Sequence, residues 1–414
     1  MDIFSERRQA LLDSFKENSI AILFGSEEMI RNGDVNFPFR QNSNFSYLTN
    51  FPESQSIAIL KKNDFFIFCK EKNKLKEQWD GEIIGPGNVK RFGATKGMAL
   101  KDFQTNLLEI TKDISNIYCF DSSISKLKRI LPDYENDFLS LDLEVSKMRS
   151  IKSNEELELI KKACNISSLA HMRAMRSVQP GMYEYQLEAE YVHEFMKKGA
   201  RNCAYPSIVG GGKNACILHY NDNRDLLMDG DLVLVDAGCE FNGYASDITR
   251  TFPVNGKFSK AQQAIYEIVL EANIECIKTV KKGLTPNETE KKAIKVITQG
   301  LVDLKILNGE INELIENGAY RDFYMHRVGH WMGMDVHDVG SYGKNGNWRK
   351  YLPGMITTIE PGIYFKEDLK NAPKEYLNIG IRIEDDVLVT EGDPEVLTSS
   401  VPKTIKDIEK LMSS

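Results

Sequence analysis

Histidine is scarce in this chain, with six in 414 residues, and there are only seven cysteines. Those cysteines (Cys69, Cys119, Cys164, Cys203, Cys216, Cys239 and Cys276) are odd in number, scattered, and never spaced as C-x-x-C. That argues against a disulfide framework or a structural zinc cluster and fits free, mostly buried thiols in a reducing compartment. Long apolar runs are also missing. The longest, "SIAILFG" and "DFFIFC", are strand-length, well short of the roughly 18 apolar residues a membrane span needs. No basic run with interleaved aromatics occurs, and the formal net charge of −7 disfavours nucleic acid or an anionic membrane as the main partner. The opening "MDIFSERRQALLDSF" reads as a charged helix, without the apolar segment of a signal peptide, so a soluble, cytoplasmic protein is expected. G-x-S-x-G, H-E-x-x-H and G-x-G-x-x-G are absent. "GGGKNA" at 210–215 lacks the Ser or Thr and the upstream glycine of a phosphate loop.

What is present falls into two parts. Residues 1–146 alternate strand-like runs with helical ones, as an α/β domain would. The charged run "KEKNKLKEQWDGE" reads as a solvated loop or helix face, with Trp79 its odd member. From 147 to 414 a second domain is expected. Ser153 with Glu156 forms a capping box opening a helix that "QPG" at 179–181 stops; a second helix ends at Gly199. The plan then repeats: "SKAQQAIYEIVLEANIECIKTVKKG" predicts a long helix stopped by Gly283, and Thr285–Pro286 starts another. Segments 151–253 and 259–390 thus share an order of helix, breaker, helix, histidine and carboxylate-bearing strands. Two halves about a pseudo-twofold, with a site between them, are expected.

"LVLVDAGCEFNGYASDITRTFP" (232–253) reads as a hairpin turning at Asn242–Gly243. Phe241 then pairs with Tyr244, Asp236 faces Thr249, and Asp247 faces Gly238. Asp236 and Asp247 become diagonal neighbours on one sheet face, with Cα atoms roughly 7–8 Å apart. Two exposed aspartates on an edge hairpin are the plainer alternative. Three of the six histidines, His326, His330 and His337, fall within "YMHRVGHWMGMDVHDVG", where glycines favour an irregular path. His171 and His193 lie on predicted helices and read as structural. Glu360 ends "MITTIE". In "NIGIRIEDDVLV" the isoleucines seek the core, so Arg382 and Glu384 share the other face. Taken alone, Glu384 reads better as a residue on a solvated strand face. Taken together, Asp236, Asp247, His330, Glu360 and Glu384 offer four carboxylates whose charge two divalent ions would match. Oxygen-rich ligation favours Mn²⁺, with Co²⁺, Fe²⁺ or Zn²⁺ as competitors. Two such ions roughly 3.5–4 Å apart can share a nucleophilic hydroxide.

These stretches, with "ITTIEPGIY", "GIRIEDDVLVT", and "RRQALL" and "FPFRQNSNFSYLTNF" near the N-terminus, resemble the motifs of the aminopeptidase P (Xaa-Pro aminopeptidase) family of pita-bread metallopeptidases. The likeness covers nearly the whole chain. It implies an N-terminal creatinase-like α/β domain followed by a catalytic pita-bread domain. It implies that Asp236 binds one metal, that Asp247 and Glu384 bridge two, and that His330 and Glu360 complete the other. His219 ("ILHY"), His326 and His337 match catalytic histidines that bind the peptide carbonyl and stabilise the tetrahedral intermediate, and Glu360 a proton shuttle. Arg382 matches a substrate-site arginine, and Tyr364 lies just beyond Glu360. Trp79 matches a tryptophan that reaches a neighbouring subunit's site, which implies a homodimer or homotetramer. Arg327 is a departure: relatives often carry a small residue there, which bears on substrate fit but not on the metal ligands.

The implied substrate is a peptide with proline second, whose Xaa–Pro bond lacks an N–H. The expected activity is hydrolysis of that bond by a metal-bridging hydroxide. A prolidase restricted to Xaa-Pro dipeptides and a metal-free pita-bread binding module are the alternatives; intact ligands disfavour the second.

Overall fold

A computed structural model describes residues 2–344, 346–370 and 372–414. The chain forms two compact units, Met1–Met148 and Arg149–Ser414. The first is built on a six-stranded mixed sheet. Its strand Ser19–Phe24 pairs antiparallel with Ile57–Lys61 and parallel with Asn116–Cys119. β-Branched and aromatic side chains from these strands pack against Phe103, Leu107 and Leu127 of two short helices, all nearly inaccessible to water. The strand-length runs noted in the sequence are the strands Ser19–Phe24 and Asp64–Cys69. The run around Trp79 is a short helix, Lys74–Asp80, with no buried residue.

In the second unit, four long helices open as their caps dictate. Ser153 and Glu156 form the capping box of Asn154–Ser177. Thr285 and Glu288 do the same for Pro286–Asp303, with Pro286 in the first turn, each cap worth about 1 kcal/mol. Glu184–Lys197 follows the first helix and Gly199 leaves it with φ +94°. The helix expected to run to Gly283 ends instead at Ile277. Thr279 turns its hydroxyl onto the Cys276 carbonyl at 2.7 Å and onto Thr289 at 2.8 Å, and this local hydrogen bonding competes with the helical ladder.

The strands follow the same doubled plan. Ile208–Gly211, Leu232–Asp236 and Thr249–Pro253 make one antiparallel sheet; Ile356–Ile359, Asp385–Leu388 and Glu395–Val396 make another. Gly362–Tyr364 pairs with Gly380–Arg382. One continuous core of residues such as Ile166, Val235, Ile265, Ile297, Ile359 and Ile383 joins the helices to these sheets. Six of the seven cysteines are buried and all are unpaired. No helix among the described residues is long and apolar enough to cross a membrane.

Candidate active site and metal centre

The hairpin turns as its sequence requires. Asn242 and Gly243 both have positive φ, 49° and 83°, the backbone of a type I′ turn. Phe241 pairs with Tyr244 and Asp236 with Thr249, so one register runs through both ends. Between them the ladder thins to Ala237 N–H donating to Ile248 O and Ser246 N–H to Cys239 O. Gly238 sits in that gap opposite Asp247. A Cβ there would stand 1.8 Å from the Ser246 carbonyl oxygen, so only glycine fits. The opened ladder lets Asp236 and Asp247 face one side: the Tyr205 hydroxyl reaches Asp236 Oδ1 at 2.6 Å and Asp247 Oδ1 at 2.5 Å.

The second half supplies the rest. His326–His337 is irregular, held against the strand Ile356–Ile359 by the Thr358 N–H to His330 O and Glu360 N–H to Val328 O bonds. Gly329 is needed at this crossing, since a Cβ would meet Thr358 O at 1.9 Å. Trp331 O accepts from His330 Nδ1 at 3.1 Å, which turns Nε2 toward Asp247 Oδ2 (3.3 Å) and Glu360 Oε1 (3.7 Å). Arg327 O can only accept, so His326 Nδ1 carries its proton and Nε2 accepts from the Tyr364 hydroxyl at 2.8 Å. Tyr364 in turn accepts from Arg382 at 3.0 Å, and Arg382 holds Asp236 Oδ2 at 2.7 Å. His337 packs edge-on against His330, with ring centroids 4.2 Å apart. Its neighbour Asp338 is pinned by Arg149 at 2.5 Å and Lys152 at 3.1 Å.

All five carboxylate and histidine residues singled out as metal ligands, together with His219, His326, His337 and Arg382, line one cavity of about 600 Å³. Tyr364 backs it through His326 and Arg382. Glu384, which taken alone read as solvated, is 1% exposed. It faces inward because its alternation partners Ile381 and Ile383 fill the core. Trp79 belongs to the other unit and is 88% exposed. His171 is structural, its ring between Ala237 O (3.0 Å) and Tyr191 OH (3.2 Å). His193 is exposed and outside the cavity, not packed in a core.

The charges do not balance. Burial, reinforced by Asp247, lifts Asp236 above the usual carboxylate range against the pull of Arg382. Burial would also raise Asp247, but hydrogen bonding and charge from His330 bring it below its ordinary value. Burial pushes Glu360 up to about 7, and pushes Glu384 far up, with Asp247 and Glu360 adding to the latter. Burial opposes protonation of His330, yet Asp247 and Glu360 raise it to about 9. His326 falls to about 4 through burial and then the charge of Arg382. Four carboxylates, two buried and two half-buried, against one arginine and one histidine make a site short of positive charge.

The donor set fits a divalent ion. Asp247, His330 and Glu384 each offer a ligand atom, all within 4.8 Å of one another. Asp236 and Glu360 stand beside this triad, the first turned to Arg382 and Tyr205, the second to His330 and His326 (3.9 Å). Three further residues shape the site. Thr249 donates to Glu384 at 2.7 Å. Asp386 accepts from the Asp247 N–H at 3.0 Å. Asp386 was within reach of the alternation that selects Arg382 and Glu384. Tyr205 carries no periodic signal; it stands before Pro206 in a connecting segment.

Two family models match the chain: metallopeptidase family M24 over residues 158–391, and the aminopeptidase P N-terminal domain over residues 4–118. The chain is 44% identical over 418 residues to an Xaa-Pro aminopeptidase of Haemophilus influenzae, covering 99% of this chain and 97% of the relative. It resembles the solved aminopeptidase PepP of Pseudomonas aeruginosa at 44% identity and TM-score 0.97, covering 99% and 97% of the two chains. It also resembles zinc-substituted Escherichia coli aminopeptidase P in complex with product, at 38% identity and TM-score 0.96, covering 99% and 98%.

Proposed function

The chain belongs to metallopeptidase family M24, with an aminopeptidase P N-terminal domain and a C-terminal pita-bread domain, and from that membership we propose that it is a metal-dependent aminopeptidase cleaving the bond before a proline in second position. The observation that carries this is the cavity itself: five candidate ligands, three histidines and Arg382 converge there in a chain similar along its whole length to Xaa-Pro aminopeptidases. We read residues 1–146 as the N-terminal domain and 147–414 as the catalytic one.

Asp236, Asp247, His330, Glu360 and Glu384 would hold two divalent ions, Mn²⁺ by preference for oxygen donors. Bound there, the ions supply Lewis acidity and a lowered pKa for water. The chain's residues supply the rest. The carboxylates of the cavity would receive the substrate's free α-amino group. Because an Xaa–Pro bond has no N–H, register must come from that amino group and from the scissile carbonyl. His219 and His337 would hold that carbonyl oxygen as charge develops on it, with His326, whose two ring nitrogens are taken by Arg327 O and the Tyr364 hydroxyl, lining the site beside them. The Arg382–Tyr364–His326 chain fixes the His326 ring and its tautomer. Glu360, 3.9 Å from His326 and 3.7 Å from His330, would take a proton from the attacking water at a carboxylate oxygen and pass it to the leaving proline nitrogen. Exposed Trp79 and, one turn earlier, Leu75 (73% exposed) support a subunit contact in a homodimer or homotetramer, and we place the protein in the cytoplasm.

The test is a substrate comparison. Chelator-stripped protein reloaded with Mn²⁺ is assayed with an Xaa-Pro-Xaa tripeptide, an Xaa-Pro dipeptide and a Met-Ala peptide. Metal-dependent cleavage of the tripeptide, with the dipeptide slower, is expected. Cleavage of the dipeptide alone would make it a prolidase, and no cleavage with any metal would overturn the peptidase reading.

A further inference from the structure

We propose that Arg327 binds a carboxylate on the substrate downstream of the scissile bond, so that the enzyme favours peptides whose third residue carries a negative charge; this rests on the peptidase reading above. Two permanent cations line the cavity, Arg327 and Arg382. Arg382 is 3% exposed and committed, with Asp236, Tyr364 and Thr249 on its nitrogens. Arg327 is exposed, and among the described residues its guanidinium meets no carboxylate or carbonyl oxygen. The guanidinium carbon stands 5.7 Å from the centre of the Tyr342 ring. Burial raises the Glu290 carboxyl and the charge of Arg327 draws it back down without a hydrogen bond to it, so the fork is oriented while its donors stay free.

The mount is rigid even though the side chain is unspent. Arg327 O accepts from His326 Nδ1 at 2.8 Å. Val328 N–H donates to Glu290 at 2.7 Å, and Val328 O accepts from Glu360 N–H at 2.7 Å. The guanidinium is thereby tied to the segment that carries His326 and His330. Beyond it lies room for more chain: Arg327, Gly329 and Tyr342 also line a second cavity of about 210 Å³. Glu290 is on the wall of that second cavity and would repel an anion placed deep inside it. The carboxylate therefore belongs at the guanidinium, on the side of the larger cavity. A peptide has one amino and one carboxyl end. The carboxylate cluster suits the first, and Arg327, the cavity's cation with free donors among the described residues, suits the second.

The carboxylate could be the C-terminus of a tripeptide or an Asp or Glu side chain at the third position. Mn²⁺-loaded wild type, R327A and R327K are assayed with Ala-Pro-Gly, its C-terminal amide, Ala-Pro-Glu-amide and Ala-Pro-Lys-amide. Wild type should show a KM roughly fivefold lower for whichever peptides carry the carboxylate, an advantage that shrinks in high salt. R327A should bring the ratio near one. R327K should fall between, keeping the charge and losing the fork. A lower KM for the free acid alone identifies the C-terminus as the group bound; a lower KM for the Glu peptide alone identifies the side chain. An unchanged ratio in R327A, or no charge preference in wild type while all peptides are cleaved, overturns the inference and leaves the peptidase reading intact. If wild type cleaves none of them, both fall.

Discussion

Glu384 and Asp385 are consecutive, both are at most 1% exposed, and they meet opposite surroundings. Asp385 lies between two cations, Arg250 at 2.8 Å and Lys403 at 2.7 Å, with the Thr398 hydroxyl at 2.8 Å. Burial would raise its pKa, but those cations hold it well below the usual range. Glu384 has one hydroxyl, from Thr249, and faces Asp247, Glu360 and Asp236 with the charge of Arg382, itself committed to Asp236, as the weaker counterweight. Two adjacent residues, one just before the strand Asp385–Leu388 and one opening it, thus face an open charge cluster and a closed one. The closed cluster stabilises the fold. The open one costs stability until cations arrive, and that is the physical signature of a binding site.

The difference can be tested from its strongest consequence down. Glu384→Gln should lower kcat/KM on the order of a thousandfold while leaving the metal-free protein as stable as wild type or more so, as urea unfolding would read. Asp385→Asn should do the reverse. It leaves Arg250 and Lys403 buried without their counter-charge and should cost about 3–5 kcal/mol of stability, measured the same way. Glu360 gives the pH dependence. Its folded value of about 7 lies above its ordinary 4.5, so its contribution is fully present below 4.5 and lost as pH rises through 7. Relative to E360Q, metal-free wild type should therefore lose up to about 3 kcal/mol between pH 4.5 and 8. If the difference between the two proteins is flat across that window, the cluster is not short of positive charge. Tyr205→Phe removes the hydroxyl shared by Asp236 and Asp247 and should weaken Mn²⁺ binding roughly 10- to 100-fold in a titration, with little change in melting temperature.

What could be read beforehand follows the range of the forces involved. Caps and turns are local, so Ser153, Thr285 and the Asn242–Gly243 turn were legible from adjacent residues, and the turn fixed the register that places Asp236 beside Asp247. Period-two alternation put Arg382 and Glu384 on one face, although only the assembled core shows that this face is buried and not solvated. Scarcity made the His326–His337 cluster visible. Partners brought together by the tertiary fold left no such trace. Tyr205 reaches two carboxylates 31 and 42 residues away, and Arg149 reaches Asp338 across 189. The early end of the 260–277 helix was missed because a threonine's own hydrogen bonds outweighed a distant glycine stop.

The central claim is that the open cluster awaits divalent cations, and calorimetric titration of chelator-stripped protein with Mn²⁺, in wild type and E384Q, tests it most directly. The account predicts about two ions bound per wild-type chain, a higher melting temperature once they are bound, and loss of at least one ion in E384Q. Binding that is absent, or that is the same in both proteins, would contradict it.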